Sequence, residues 1–223
     1  MQVGGNARFL TEATAVEEVP QIYHDAQSRQ LSVFVLGGGS NVIAKDEGFE
    51  GVVLLNRIKG FEVVSEDERS VTLKIGAGEV WDEVVARTVD MGLSGIEAMS
   101  AIPGTAGAAP VQNVGAYGQE IADTLVEVEA YDSATNTMVV LPAEQCHFSY
   151  RHSIFRGSQM GRYCITAITI RLSRRAPQPP FYAGLQRYLD EHHITDYTPA
   201  AIRQAVIAIR HDKLPDPTVT PNS

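Results

Sequence analysis

Cysteine is scarce in this 223-residue chain: there are two, Cys146 and Cys164. Their spacing fits no metal site, and two residues cannot build a disulfide framework. They read as free buried thiols in a reducing cytosol, with one disulfide as the alternative. Cations are in deficit, 18 Lys and Arg against 27 Asp and Glu, a net charge of −9. That balance argues against a nucleic-acid coat or a binder of anionic membranes, and leaves room for a local basic pocket. No apolar run reaches membrane length and no signal-peptide pattern is present, so no membrane insertion is expected. There is no internal repeat, no convincing Ser-His-Asp grouping and no paired-carboxylate signal. The six histidines are scattered, and His192-His193 lies in a charged stretch that reads as a solvated helix end rather than a metal site.

What remains is the composition of a soluble globular protein, 44% hydrophobic and 20% charged, long enough for one large domain or two small ones. Thr14-Ala-Val-Glu17 has capping-box form and predicts a helix to about Gln30, with Pro20 as an alternative start. Residues 32–36 and 51–55 read as strands, and 61–65 with 70–76 as a hairpin around Glu66-Asp67-Glu68-Arg69. Trp81, Val84, Val85, Thr88 and Val89 make one helical stripe, closed by Gly92. Residues 125–131 and 137–141 alternate like a second hairpin, 163–172 reads as a long buried strand, and 174–180 (RRAPQPP) as a linker. Thr198-Pro199 opens a last helix with Ile202, Ala205, Val206 and Ile209 inward. Strands outnumber helices and the two are mixed, which gives an α+β class.

Two segments break these periods. "VFVLGGGSN" (33–41) ends a strand on Gly37-Gly38-Gly39 and then Ser40-Asn41. It is not a Rossmann fingerprint, because the third glycine would fall at Val42, and it lacks the Gly-Lys-Ser/Thr ending of a P-loop. It is either a tight strand-ending turn or a cradle of amides for a phosphate. Residues 100–118 (SAIPGTAGAAPVQNVGAYG) form a long, uncharged segment of small residues, the kind of loop that is functional more often than idle. Gly104, Gly107, Gly115 and Gly118 permit unusual backbone angles, Ala108 and Ala109 remove bulk, and Gln112 and Asn113 could bond a ring edge. The alternative is a tightly packed crossover. Further on, Tyr150-Arg151-His152-Ser153-Ile154-Phe155 reads as strand-like, aligning Arg151, Ser153 and Phe155 on one face. An inward Arg there could grip a carboxylate or a developing enolate, or could be a simple ion-pair partner. Lys213, at the end of the last helix, suits either the helix dipole or a diphosphate.

In that order, GGGSN after a strand, IPGTAGAAPVQNVGAYGQE, YRHSIF and KLPDP resemble the UDP-N-acetylenolpyruvoylglucosamine reductases, flavoenzymes of peptidoglycan-precursor synthesis. The resemblance covers nearly the whole chain, including the tyrosine-bearing segment FYAGL of one subgroup. It implies an α+β FAD-binding module of the p-cresol methylhydroxylase type, with lobes at 1–58 and 59–175 and the start of a substrate domain at 176–223. It implies FAD contacts from Gly37, Gly38, Gly39, Ser40 and Asn41, the pyrophosphate turn. Further FAD contacts would come from Pro103, Gly104, Gly107, Ala108, Ala109, Gln112, Gly115, Ala116, Tyr117 and Gly118. Arg151 would be the catalytic arginine, and Tyr150, Tyr182 and Lys213 would meet the UDP-sugar. The implied enzyme is a cytoplasmic, monomeric oxidoreductase that takes hydride from NADPH through FAD and reduces an enolpyruvyl ether. Another FAD oxidoreductase on the same module, or a flavin-binding fragment without turnover, are the alternatives. The family pattern continues past KLPDP into Gly-Ser-Phe-Phe-Lys-Asn-Pro, whose serine donates the proton, and on to a catalytic glutamate. This sequence ends at Asn222-Ser223, and Met1 falls where the family's Asn-Thr-Phe segment ends, so incomplete turnover is expected.

Overall fold

The structure is a computed structural model and describes residues 4–214. The first part of the chain builds a three-stranded parallel sheet in the order β1-β3-β2, from β1 (Ala7–Ala13), β2 (Val33–Leu36) and β3 (Phe49–Asn56). Between β1 and β2 runs helix α1 (Glu18–Ser28). Its N-terminus is held differently from the expected capping box. The Glu18 carboxylate, not Glu17, accepts the N–H of Thr14 (2.7 Å) and of Ala15 (3.1 Å). These two bonds hold its pKa below the usual carboxylate range. Val19 and Tyr23 of α1 pack with Ala13 and Leu54 of the sheet.

The second part builds a five-stranded antiparallel sheet, β4-β5-β10-β8-β9. Its strands are β4 (Phe61–Glu66), β5 (Ser70–Gly76), β8 (Leu125–Asp132), β9 (Thr137–Pro142) and β10 (Tyr163–Ser173); β6 (Gly115–Ala116) and β7 (Gln119–Glu120) form a small separate hairpin. The β4–β5 turn closes on Asp67, whose carboxylate accepts the N–H groups of Arg69 and Ser70 (both 2.7 Å). Helix α2 (Trp81–Asp90) covers one face with its predicted stripe: Trp81, Val84, Val85, Thr88 and Val89 are all buried. They join Leu73 and Ile75 of β5 and Ile168, Ile170 and Leu172 of β10 in the main core. Each such side chain contributes roughly 1.5–3 kcal/mol by leaving water. Gly92 ends α2 at φ +72°, a left-handed angle that costs glycine little.

The two sheets are tied by a second, smaller core. Tyr23 of α1 lies 4.9 Å from Tyr131 of β8, ring to ring, with Cys164 of β10 beside them. Asn56 at the end of β3 donates to the Ile165 carbonyl of β10 (2.7 Å). Both cysteines are free and buried in different clusters, and burial pushes the Cys146 thiol up to about 11 and that of Cys164 to about 12.

Past the second sheet come α3 (Ala183–Glu191) and α4 (Pro199–Lys213). The Thr198 hydroxyl accepts the Ala201 N–H (3.1 Å) as the N-cap of α4. Ile202, Ala205, Val206 and Ile209 pack on Leu185, Leu189 and Ala98. Arg203 of α4 clamps Asp82 of α2 through two bonds of 2.6 and 3.0 Å. Only the end of helix α3, at His192-His193, was predicted, and residues 150–155 do not form the expected strand. Ser149 and His152 instead exchange backbone hydrogen bonds across a tight turn (3.1 and 3.0 Å), with Arg151 at φ +53°.

Candidate functional site

The parallel sheet delivers β2 into the Gly37–Asn41 turn, and the turn lies against the 103–118 segment. The closeness is visible at the glycines. A Cβ on Gly37 would stand 2.6 Å from the Thr105 hydroxyl, and one on Gly38 would stand 3.1 Å from the Gly104 Cα. Asn41 donates its side-chain N–H to the Gln112 side-chain carbonyl (3.1 Å). Gly39 takes φ +71° with open space on its Cβ side, and Gly104, beside Ser40, takes φ +118°. Two backbones stripped of side chains therefore face one crevice at the end of a parallel strand. This is a surface that admits a diphosphate and a flat ring close to main-chain amides.

The 100–118 segment is ordered as successive single turns of 3-10 helix at Ala106–Ala108 and Pro110–Gln112. Its glycines have different tasks. A Cβ on Gly107 would fall 2.5 Å from that of Ala77, and one on Gly115 would fall 2.7 Å from the Gln119 carbonyl. Those two are small because protein packs on them. Ala109 is buried in the main core, Ala108 is partly exposed, and Pro103 and Gly118 are exposed. Asn113 cannot reach a ring edge as expected. It is buried, it donates to Glu120 (2.6 Å) and to the Ser149 carbonyl (3.1 Å), and it accepts the Ala122 N–H (3.2 Å).

Arg151 reaches this loop from the turn at 149–152. Its guanidinium donates to the Gly115 carbonyl (2.8 Å) and lies 5.7 Å from the ring of Tyr150, which is itself 82% exposed. The expected alignment with Ser153 and Phe155 fails, since Arg151 is exposed and those two are buried. Ser153 serves instead as a strut, donating to the Val111 carbonyl (2.7 Å). Left-handed angles at Ala101, Asn113, Tyr117 and Arg151 mark a backbone held in costly conformations by its surroundings.

The β6–β7 hairpin carries the loop on to α3. Tyr117 and Tyr182 meet edge to face, centroids 6.0 Å apart, and Ala116 lies half-buried between Gly115 and Tyr117. Burial raises the Tyr117 phenol, and the nearby Arg210 opposes that shift. Arg210 was missed in the sequence. Its Nε is buried without a partner among the described residues, and its charge is felt at both Tyr117 and Asp82. The available signal was spacing: Arg203 and Arg210 are seven residues apart and share one face of α4. Lys213, in the last turn, is exposed. The remainder of KLPDP, the expectations attached to Asn222-Ser223, and Met1 lie outside the described residues.

Residues 7–141 match the family model described as an FAD binding domain. The chain belongs to the FAD-binding domain family. Within this family, it is 42% identical over 215 residues to the UDP-N-acetylenolpyruvoylglucosamine reductase of Salinispora arenicola (strain CNS-205), covering 96% of this chain and 58% of that protein. It is 41% identical over 217 residues to the protein of the same name from Burkholderia ambifaria (strain MC40-6), covering 96% and 62%. The chain thus spans about three fifths of the length of these curated relatives. Among solved structures, it superposes on the UDP-N-acetylenolpyruvylglucosamine reductase of Thermus caldophilus with a TM-score of 0.66 at 22% identity, covering 93% of this chain and 64% of that one. An alkyldihydroxyacetonephosphate synthase gives a TM-score of 0.53 at 17% identity, covering 76% and 32%. Those two likenesses establish a shared α+β fold.

Proposed function

We propose that the chain is the FAD-holding part of an NADPH-dependent reductase that converts UDP-N-acetylglucosamine enolpyruvate to UDP-N-acetylmuramate in the cytoplasm, as a monomer. The observation that carries the reading is the meeting of the Gly37–Asn41 turn with Gly104 and Gln112. The names of the relatives supply the substrate. In this reading the part up to residue 58 and the part from 59 to 175 would together hold FAD, and residues 176–223 begin the substrate side.

The turn amides of Gly37–Gly39, with Ser40 and Asn41, would hold the pyrophosphate by charge-assisted hydrogen bonds. Pro103, Gly104 and Ala108 would bind the flavin, while Gly107, Ala109 and Gly115 let the loop fold tightly enough to present its backbone. Gln112 orients Asn41, and Ala116, Tyr117 and Gly118 would complete the cofactor site. FAD, when bound, relays hydride from NADPH to the enolpyruvyl double bond. Arg151 spends one N–H on the Gly115 carbonyl, which fixes its position. Its remaining N–H groups receive the substrate carboxylate and the negative charge that grows beside it, so its interaction strengthens along the reaction. Tyr150, Tyr182 and Lys213 receive the UDP-sugar, and Arg210 adds a second cation at the Tyr117–Tyr182 pair.

The test is spectroscopic. The purified chain, supplied with FAD, is expected to be yellow, to quench flavin fluorescence on binding, and to bleach under NADPH. A protein that takes up no FAD overturns the reading. One that binds FAD but never bleaches removes NADPH as the donor.

A further inference from the structure

The main core ends, at its other extremity, in a cluster of arginines. β5 begins at Ser70 and β10 ends at Ser173, and the two are paired residue to residue. A groove of about 410 Å³ opens there, lined by Arg69, Ser70, Arg171, Leu172, Ser173 and Arg175. With Arg174 beside them, four arginines gather in a chain whose net charge is −9. A cleft lined by one sign of charge focuses the field and raises the local concentration of anions.

Local carboxylates balance part of it. The backbone N–H bonds from Arg69 and Ser70, with help from the Arg171 charge, hold the Asp67 carboxyl below its usual range. Glu66 is engaged by Arg174. Asp67 is occupied by the backbone of Arg69 and Ser70 and by the Ser70 hydroxyl, and Glu68 beside it is exposed. Among the described residues, Arg69, Arg171 and Arg175 make no ion pair, and the only side-chain bond of the three is a long one from Arg171 to the Thr72 hydroxyl (3.5 Å). The backbone beneath them is fixed. Arg174 donates its N–H to the Arg69 carbonyl (2.9 Å), Arg175 donates its N–H to the Ser173 hydroxyl oxygen (2.9 Å), and the Ser94 hydroxyl donates to the Arg175 carbonyl (2.6 Å). Since Ser173 accepts from Arg175, its own proton is free to donate into the groove.

We propose that this groove binds a phosphate-bearing small molecule at a site separate from the flavin crevice. Three forked guanidiniums and a hydroxyl offer more donors than one carboxylate accepts and suit a tetrahedral dianion. The volume exceeds that of a lone phosphate and leaves room for an organic portion. The site lies apart from the crevice because the flavin-side loop packs on Ala77, beyond the opposite end of β5. Six steps of strand from Ser70 to Gly76 place the two about 20 Å apart.

The experiment is a titration of the 15N-labelled full chain with pyrophosphate and, separately, with AMP, at ionic strength held constant with sodium chloride. The expected result is saturable movement of the Arg69, Arg171 and Arg175 Nε–Hε signals. Arg171→Gln/Arg175→Gln should weaken it at least tenfold, and the exposed single change Arg69→Gln at least threefold, with the response of residues 37–41 unchanged. Tighter binding of AMP assigns the site to organic phosphates, and equal binding assigns it to inorganic ones. Movements that never saturate, or that persist at the same affinity in both variants, overturn the proposal.

Discussion

At the scale of single residues, two arginines set different expectations. Arg151 is placed by one hydrogen bond to the Gly115 carbonyl and is otherwise open. Arg151→Lys keeps a charge and loses the fork, so flavin affinity should stay within about twofold while the oxidative half-reaction, in which reduced flavin meets substrate, slows roughly a hundredfold in a chain that includes the substrate side. Equal losses in both would make Arg151 structural. Arg162 is the opposite case. It grips buried Asp132 through two bonds of 2.7 and 2.6 Å, and those bonds hold the Asp132 carboxyl down at about 2. A depressed folded-state pKa contributes stability that is complete above the unfolded value near 4 and is lost as pH falls from about 4 toward 2. Acid unfolding followed by circular dichroism should therefore show a stability loss in that window. Asp132→Asn should flatten it and should lower the neutral-pH melting temperature by roughly 5 °C.

At the scale of elements, the glycines of the crevice separate into two kinds. Gly107→Ala drives a Cβ into Ala77 and should cost about 1–3 kcal/mol of stability, read as a lowered denaturation midpoint. Gly38→Ala meets the Gly104 backbone at 3.1 Å. It should lower the denaturation midpoint less than Gly107→Ala does and weaken FAD binding about tenfold, measured by fluorescence quenching. The sequence distinguished neither kind, because both are simply glycine. What it did show was whatever rests on a repeat within one element: the α2 stripe, both hairpins and the Thr198 cap stand where period and capping chemistry place them. It showed only the end of α3, whose inward face amounts to Leu185 and Leu189. It misled at 150–155, where a polar–apolar alternation belongs to a tight turn stabilised by bonds to Val111 and Gly115, far away in the chain. The partnership of the 37–41 turn with the 104–112 loop was beyond it too, since that partnership depends on how two sheets dock.

At the scale of the whole molecule, the docking rests on Tyr23, Tyr131 and Cys164, with Asn56 bridging to β10. Cys164 is fully buried and its thiol is pushed up to about 12, so little thiolate forms near neutrality and reagent cannot reach it. Cys146 is shielded in the same way within the other core. In a thiol-colour assay at pH 8 both cysteines should be silent in the native chain and both should react in denaturant. Their native labelling rate should follow global unfolding, and fast labelling of Cys164 alone would mean that the two sheets separate independently.

The central place of β10 has a consequence in time. β5 lies between β4 and β10, so one of its edges stays unpaired until a strand roughly 90 residues later has been made. At synthesis rates of about 5–20 residues per second, a nascent chain carries that open edge for roughly 5–20 s. During that wait the exposed row of amides and carbonyls is a template for any neighbouring chain. An edge held open that long favours wrong pairing unless something shelters β5 on the ribosome.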